Sequence, residues 1–98
     1  MSKQQRVERL RSRLAMSILD ELQRQNLVRG SAMHCGGSIF VTVHDVGQTT
    51  IGVLVDSLDP LSARTQVTNP AAQALADQVL ATVLERSFPT IAATETVA

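Results

Sequence analysis

Along the first quarter of the chain, apolar residues recur at steps of three and four: Val7, Leu10, Leu14, Ile18 and Leu22, with Ala15 and Leu19 beside them. This is the period of an amphipathic helix with one apolar stripe, and it predicts a helix over residues 3–28. Ser2 stands where an N-cap side chain accepts from the first unpaired backbone N–H groups, and Gly30 follows the end. The opposite face carries Arg6, Arg9, Arg13, Ser17, Asp20 and Arg24, while Glu8 and Arg11 fall near the stripe and blur its first two turns. At about 1.5 Å per residue such a helix is about 39 Å long, more than a small domain covers by itself. Part of the stripe, at Leu14, Ile18 and Leu22, is therefore expected to pack on another chain.

The period then changes to two. In "SIFVTVHDVGQTTIGVLVDSL", from Ser38 to Leu58, Ile39, Val41 and Val43 alternate with Phe40, Thr42 and His44. After the turn at Asp45 and Gly47, Ile51, Val53 and Val55 alternate with Thr50, Gly52, Leu54 and Asp56. This reads as an antiparallel hairpin whose Val/Ile face needs a helix on it. Residues 30–37, rich in small side chains, read as a linker into the first strand. Asp59-Pro60 ends the second strand, and Arg64 to Thr68 is a candidate short third strand. Asn69 then caps a second helix with Pro70 at its first position. Its buried stripe is Ala72, Leu75, Ala76, Val79, Leu80 and Val83, and Pro89 closes it. Residues 1–88 are expected to form one α+β domain and residues 89–98 a flexible tail. A lone two-stranded ribbon is marginal in water, so its open edges point to a dimeric sheet shared with a second copy.

Composition narrows the chemistry. Phe40 and Phe88 are the only aromatic residues among 98, so the core is aliphatic and stacking on bases has little to work with. A single cysteine, Cys35, forms no internal disulfide, which points to a cytoplasmic protein. No apolar run reaches a membrane span, and no apolar segment follows the basic start, so neither a membrane partner nor a signal peptide is expected. The formal net charge is zero but unevenly spread. Residues 1–29 hold Lys3, Arg6, Arg9, Arg11, Arg13, Arg24 and Arg29 against Glu8, Asp20 and Glu21, while the rest of the chain is acidic. Only His34, Cys35, His44 and Asp45 could seed a nucleophile or a metal site, and their spacing matches no zinc pattern. Gly36-Gly37 precedes a strand, where a phosphate loop would follow one. Asp56 and Asp59 suit a turn better than a pair of acid–base carboxylates. No catalytic residue, metal or cofactor is expected, and the chain reads as a non-enzymatic protein.

Two sets of residues remain. Arg6, Arg9 and Arg13 share a helix face, with Lys3 near them and Arg24 further along, and such a row can neutralise phosphates. Phe40 and Leu54 are apolar on the strand face opposite the Val/Ile core, where a partner or a second copy could cover them, along with Leu14, Ile18 and Leu22 of the helix stripe.

The order of elements carries a resemblance. A long polar-basic helix, a Gly-containing linker, the hairpin "FVTVHDVGQTTIGVLVDSLDP" and an Ala/Leu/Val helix together resemble the YbaB/EbfC family of small nucleoid-associated proteins, over roughly residues 5–88. That family's Asp-Pro turn is mirrored loosely: Asp56 is followed by Ser57, Leu58, Asp59 and Pro60. The resemblance implies an intertwined homodimer, nucleoid-associated, that binds duplex DNA with little sequence preference. The alternative is a protein–protein interaction module, such as an assembly factor, a secretion chaperone or a phage- or plasmid-encoded inhibitor, that buries Phe40 and Leu54 against a protein target.

Overall fold

A computed structural model describes residues 2–87. In chain order it contains helix α1 (Lys3–Arg24), strands β1 (Val28–Cys35), β2 (Ser38–Val43), β3 (Gly47–Leu54) and β4 (Arg64–Val67), and helix α2 (Gln73–Ser87). Single 3₁₀ turns lie at Pro60–Ser62 and Pro70–Ala72. The four strands form one antiparallel meander in the order β1-β2-β3-β4. Both helices pack on the same face of it, which makes an α+β two-layer fold. The expected tail at 89–98, with the closing Pro89, lies outside the described residues.

α1 begins as its sequence predicts. The Gln5 N–H donates to Ser2 Oγ at 3.2 Å and the Ser2 N–H donates to Gln5 Oε1 at 2.9 Å, a reciprocal capping box. It ends earlier than expected, at Arg24. Asn26 adopts φ 57°, the Asn26 N–H donates to Gln23 O at 3.0 Å, and the Leu27 N–H donates to Leu22 O at 3.0 Å. This is a Schellman close with asparagine as the left-handed residue. The stop signal was therefore Asn26, not Gly30. The helix is about 33 Å long, close to the 36 Å longest extent of the molecule, so its length does not require a second chain.

Residues 30–37 are not a linker, because they supply most of β1. Cys35 lies opposite Ser38, His34 opposite Ile39 and Met33 opposite Phe40; the register then slips before Arg29 meets Thr42. Gly30, at φ 65°, lies inside that bulge. On the other side of β2, Ile39 faces Ile51 and Val41 faces Thr49. The β2–β3 turn uses positive φ at Asp45 (66°) and Gly47 (102°), as its residue types require. β4 pairs with β3 from Ile51–Val67 to Leu54–Arg64, so the short third strand of the sequence reading is real and is the fourth in the sheet.

The core joins Leu14, Ile18 and Leu22 of α1 to Ile39, Val41, Ile51 and Val53 of the sheet and to Ala76, Val79 and Val83 of α2. Leu14, Ile18 and Leu22 are completely buried within this one chain. That corrects their assignment to a partner interface: the sheet of the same chain takes up the stripe, leaving no surface there for a second copy. Asn69 caps the 3₁₀ turn Pro70–Ala72 and not α2 itself, which starts later than expected, at Gln73. Asn69 Oδ1 accepts the Ala71 N–H at 3.1 Å, and Asn69 Nδ2 donates to Val46 O at 3.2 Å in the β2–β3 turn. Asp77 Oδ1 accepts from Thr65 Oγ1 at 2.8 Å and from Gln73 Nε2 at 2.9 Å, which ties α2 to β4. Both sheet edges are blunted, one by the β1 bulge and the other by the four-residue length of β4.

Two polar contacts hold the helices and the turns in place. Glu21 is only 3% exposed. It accepts from Arg24 Nη1 at 3.3 Å and Gln25 Nε2 at 2.9 Å and pairs with Arg86 Nη1 at 3.3 Å, bridging α1 to α2. Arg11 sits in the middle of the core-facing side of α1 and lies over Gly37, with Nε buried and without a hydrogen-bond partner among the described residues. A Cβ at position 37 would fall on the Arg11 side chain. A side chain at position 37 would therefore oblige Arg11, whose side chain is 35% exposed, to move aside.

Glu21→Ala is expected to lower stability by about 1–3 kcal/mol, the cost of stranding partners around a lost buried acceptor. Arg86→Ala should cost less than about 1 kcal/mol because that arginine is more than half exposed. Urea midpoints check both. Gly37→Ala should cost about 1–3 kcal/mol by overpacking. In an Arg11→Ala background most of that cost should vanish, and a double-mutant cycle measures the difference.

Candidate functional site

The three arginines of the sequence reading do come together. Arg6, Arg9 and Arg13, with Leu10, Ser12 and Met16, line a shallow depression of about 610 Å³ along α1. The far wall is His34 of β1. Glu8, on the same helix, lies 3.7 Å from Arg11, and Arg9 and Arg13 have polar partners of their own. From Arg6 to Arg13 the helix rises about 10 Å, the axial length of about three nucleotides of one DNA strand. Lys3 is exposed in the first turn, beyond this depression. Arg24 does not join the cluster. It lies about 16 Å further along the axis, where it pairs with Glu21 at 3.3 Å.

His34 reaches the site through strand alternation. Its register partner Ile39 is buried under the helices, so His34 is on the helix side of β1, at the strand's free edge and beside α1. A histidine in a linker would have had no fixed place. The strand, which the sequence reading did not assign, is what brings it to the arginines. Cys35 points to the other face, opposite Ser38, and is exposed. His44 and Asp45 lie past the far end of β2, five or more residues from Ile39 and so about 17 Å away along the strand. The four residues that could have seed a metal or nucleophile site are therefore not brought together. Among the described residues no three His, Cys, Asp or Glu side chains converge on one point. Asp59 acts as a turn residue, its Oδ1 accepting the Leu61 N–H at 3.0 Å, and Asp56 pairs with Arg64 at 3.2 Å.

The second surface is the face of the sheet away from the helices. Met33 is 61% exposed, Phe40 43% and Leu54 37%. Met33 and Phe40 are direct cross-strand neighbours, and Phe40 in turn faces Thr50. Phe40 and Leu54 stand where the alternation placed them; Met33 joins them only because residues 28–35 form a strand. A shallow depression of about 560 Å³ beside Met33 and Phe40 continues over Thr50 to Thr68.

No helix among the described residues is long and apolar enough to cross a membrane. Comparison with protein-family models, with curated proteins and with solved structures finds no match. The likeness to YbaB/EbfC proteins thus rests on the quoted residues alone, since the linker in the order of elements is strand β1.

Proposed function

We propose that this chain is a small, non-enzymatic, DNA-binding protein of the YbaB/EbfC kind, working as a homodimer at the nucleoid in the cytoplasm. It holds the phosphate backbone through Arg6, Arg9 and Arg13, with Lys3 at the margin of the strip. The observation that carries this reading is the depression itself: three guanidinium groups within one helical stretch line it. Guanidinium forks match phosphate oxygens. Such contacts fix a protein on a duplex without reading its sequence. The positive balance of residues 1–29 in an otherwise acidic chain concentrates attraction for a polyanion at this end.

A second reading has its own observation. Met33 and Phe40 form an exposed apolar pair on the uncovered side of the sheet, with Leu54 about 13 Å further along β3, the kind of surface that a second copy or a protein target covers. With Leu14, Ile18 and Leu22 consumed by the core, a dimer has this face to use.

Wild type is expected to bind duplex DNA at about 50 mM salt with an affinity that falls steeply as salt rises, and six arginines in a dimer set a limiting log–log slope of about −5. Changing Arg6, Arg9 and Arg13 together to Ala should abolish binding while the chain stays folded, since all three are exposed and none belongs to the core. No binding by wild type at that salt overturns the DNA reading and leaves the interaction module in its place.

Sedimentation at micromolar concentration should show a dimer that Met33→Ser with Phe40→Ser dissociates. A single 10.6 kDa species for wild type removes the homodimer.

A further inference from the structure

On the side of the sheet away from the helices, large and small residues fall in separate rows. Met33, Phe40 and Thr50 are direct partners across β1, β2 and β3 and make one row. Two residues along each strand, Cys35, Ser38 and Gly52 are again direct partners and make the next. The first row is a ridge, with Met33 and Phe40 exposed. The second is a hollow of small residues beside it. We propose that this face docks a second copy of the chain about a two-fold axis that runs across the strands, so that the Met33–Phe40 ridge of each copy seats in the Cys35–Ser38–Gly52 hollow of the other. This inference rests on the homodimer reading above and names the contact that forms it.

Charge selects a second copy as the occupant. A two-fold interface sets a surface against itself, so a charge near its centre meets its own like. Among the strand residues of this face only Arg29 and Arg64 are charged, and they stand at opposite corners. Arg29 lies beside Thr42 at one end of β1, and Arg64 beside Leu54 at the other end of the sheet, on β4. The positions between them are uncharged. An axis across the strands sets each arginine over the far end of its own strand in the partner, clear of both partner arginines. The rows select that axis. An axis along the strands sets ridge on ridge and leaves hollow facing hollow, an empty slot that close-packed interfaces do not keep. The axis across them sets Met33, Phe40 and Thr50 of one copy over the partner's Cys35, Ser38 and Gly52. Four strands about 4.8 Å apart and four rows about 6.8 Å apart give a face of about 500 Å², so two copies bury about 1,000 Å², the lower bound for a specific interface. Such a dimer forms and parts with concentration.

The test is sedimentation of the full chain over a concentration series, with circular dichroism and melting temperature to show that each variant is folded. Wild type should dimerise, and Phe40→Ser should weaken the dimer about tenfold or more. Ser38→Val with Gly52→Val adds apolar surface to the same face and should nevertheless weaken the dimer as much, because it fills the seat. A Cβ at position 52 meets only Gln66 O, at 3.6 Å, an ordinary contact within the single chain. Exchanging two residues, Ser38→Phe with Phe40→Ser, trades ridge for hollow at unchanged composition and should bring back the dimer that Phe40→Ser loses. Should the filled variant not fold, the exchange decides alone. If Phe40→Ser or the filled variant associates as tightly as wild type, or the exchange stays as weak as Phe40→Ser, the seat is overturned while the homodimer stands. A wild type that remains a 10.6 kDa species throughout the series overturns both.

Discussion

The Val/Ile face of the sheet governs the rest of the structure. Ile39, Val41, Ile51 and Val53 project to one side of a meander that has no aromatic residue on that face. Aliphatic side chains of this size bury little area each, so the face is useful only if it is covered along its whole length. α1 does this with Leu14, Ile18 and Leu22, and α2 closes the remainder with Ala76, Val79 and Val83. Covering that face fixes the rotation of α1 about its own axis. Once Leu14 and Ile18 point at the sheet, Arg6, Arg9 and Arg13 fall on an exposed side of the helix. The basic strip is thus a consequence of how the core is filled.

The hairpin, the β4 segment, the Asn69 cap and the buried stripes were legible because each buries one face, and burial leaves a period in the sequence. β1 was not legible for the same reason in reverse. It is an edge strand in which only Val28 and Ala32 are even half-buried. Its residues, Arg29-Gly30-Ser31-Ala32-Met33-His34-Cys35, show no alternation, and the bulge would have broken any that existed. Asn26 was missed as a helix stop because glycine is the commoner left-handed residue and Gly30 stood nearby. Both errors displaced site residues. With residues 30–37 read as a linker, His34 could not be set beside Arg13, nor Met33 beside Phe40. The excess length assigned to α1 likewise suggested a shared stripe at Leu14, Ile18 and Leu22 that the chain's own sheet takes up.

Charge is sorted by depth as well as along the chain. Arg11, half-buried on α1, lies over Gly37, where the absence of a side chain leaves it room. Glu21 is buried and takes Arg24 and Arg86 as partners, so the end of α1 nearest α2 spends its arginine on structure. The first half of α1 has no such buried acid. Arg24 is thus held by Glu21, although 59% of its side chain is exposed, and positions 6, 9 and 13 are exposed without a buried acid beside them. A count of basic residues does not separate these roles; the position of Glu21 does.

The two candidate surfaces also constrain each other. In a two-layer fold the outer side of α1 and the uncovered side of the sheet face in opposite directions. A dimer closed by apposing the Met33–Phe40 faces stacks as helices, sheet, sheet, helices. With layers about 10 Å apart and helices about 10 Å across, the two basic strips then lie about 40 Å from each other on opposite outer surfaces. One straight duplex cannot lie along both. If the chain binds DNA as proposed, a dimer of this form would hold two separate stretches, each engaging the three arginines of one protomer, and the salt dependence per duplex would be half the limiting value for all six. The slope measured with short duplexes therefore reports the geometry of the dimer: near −5 when both strips share one duplex, and near −3 when the helices face apart.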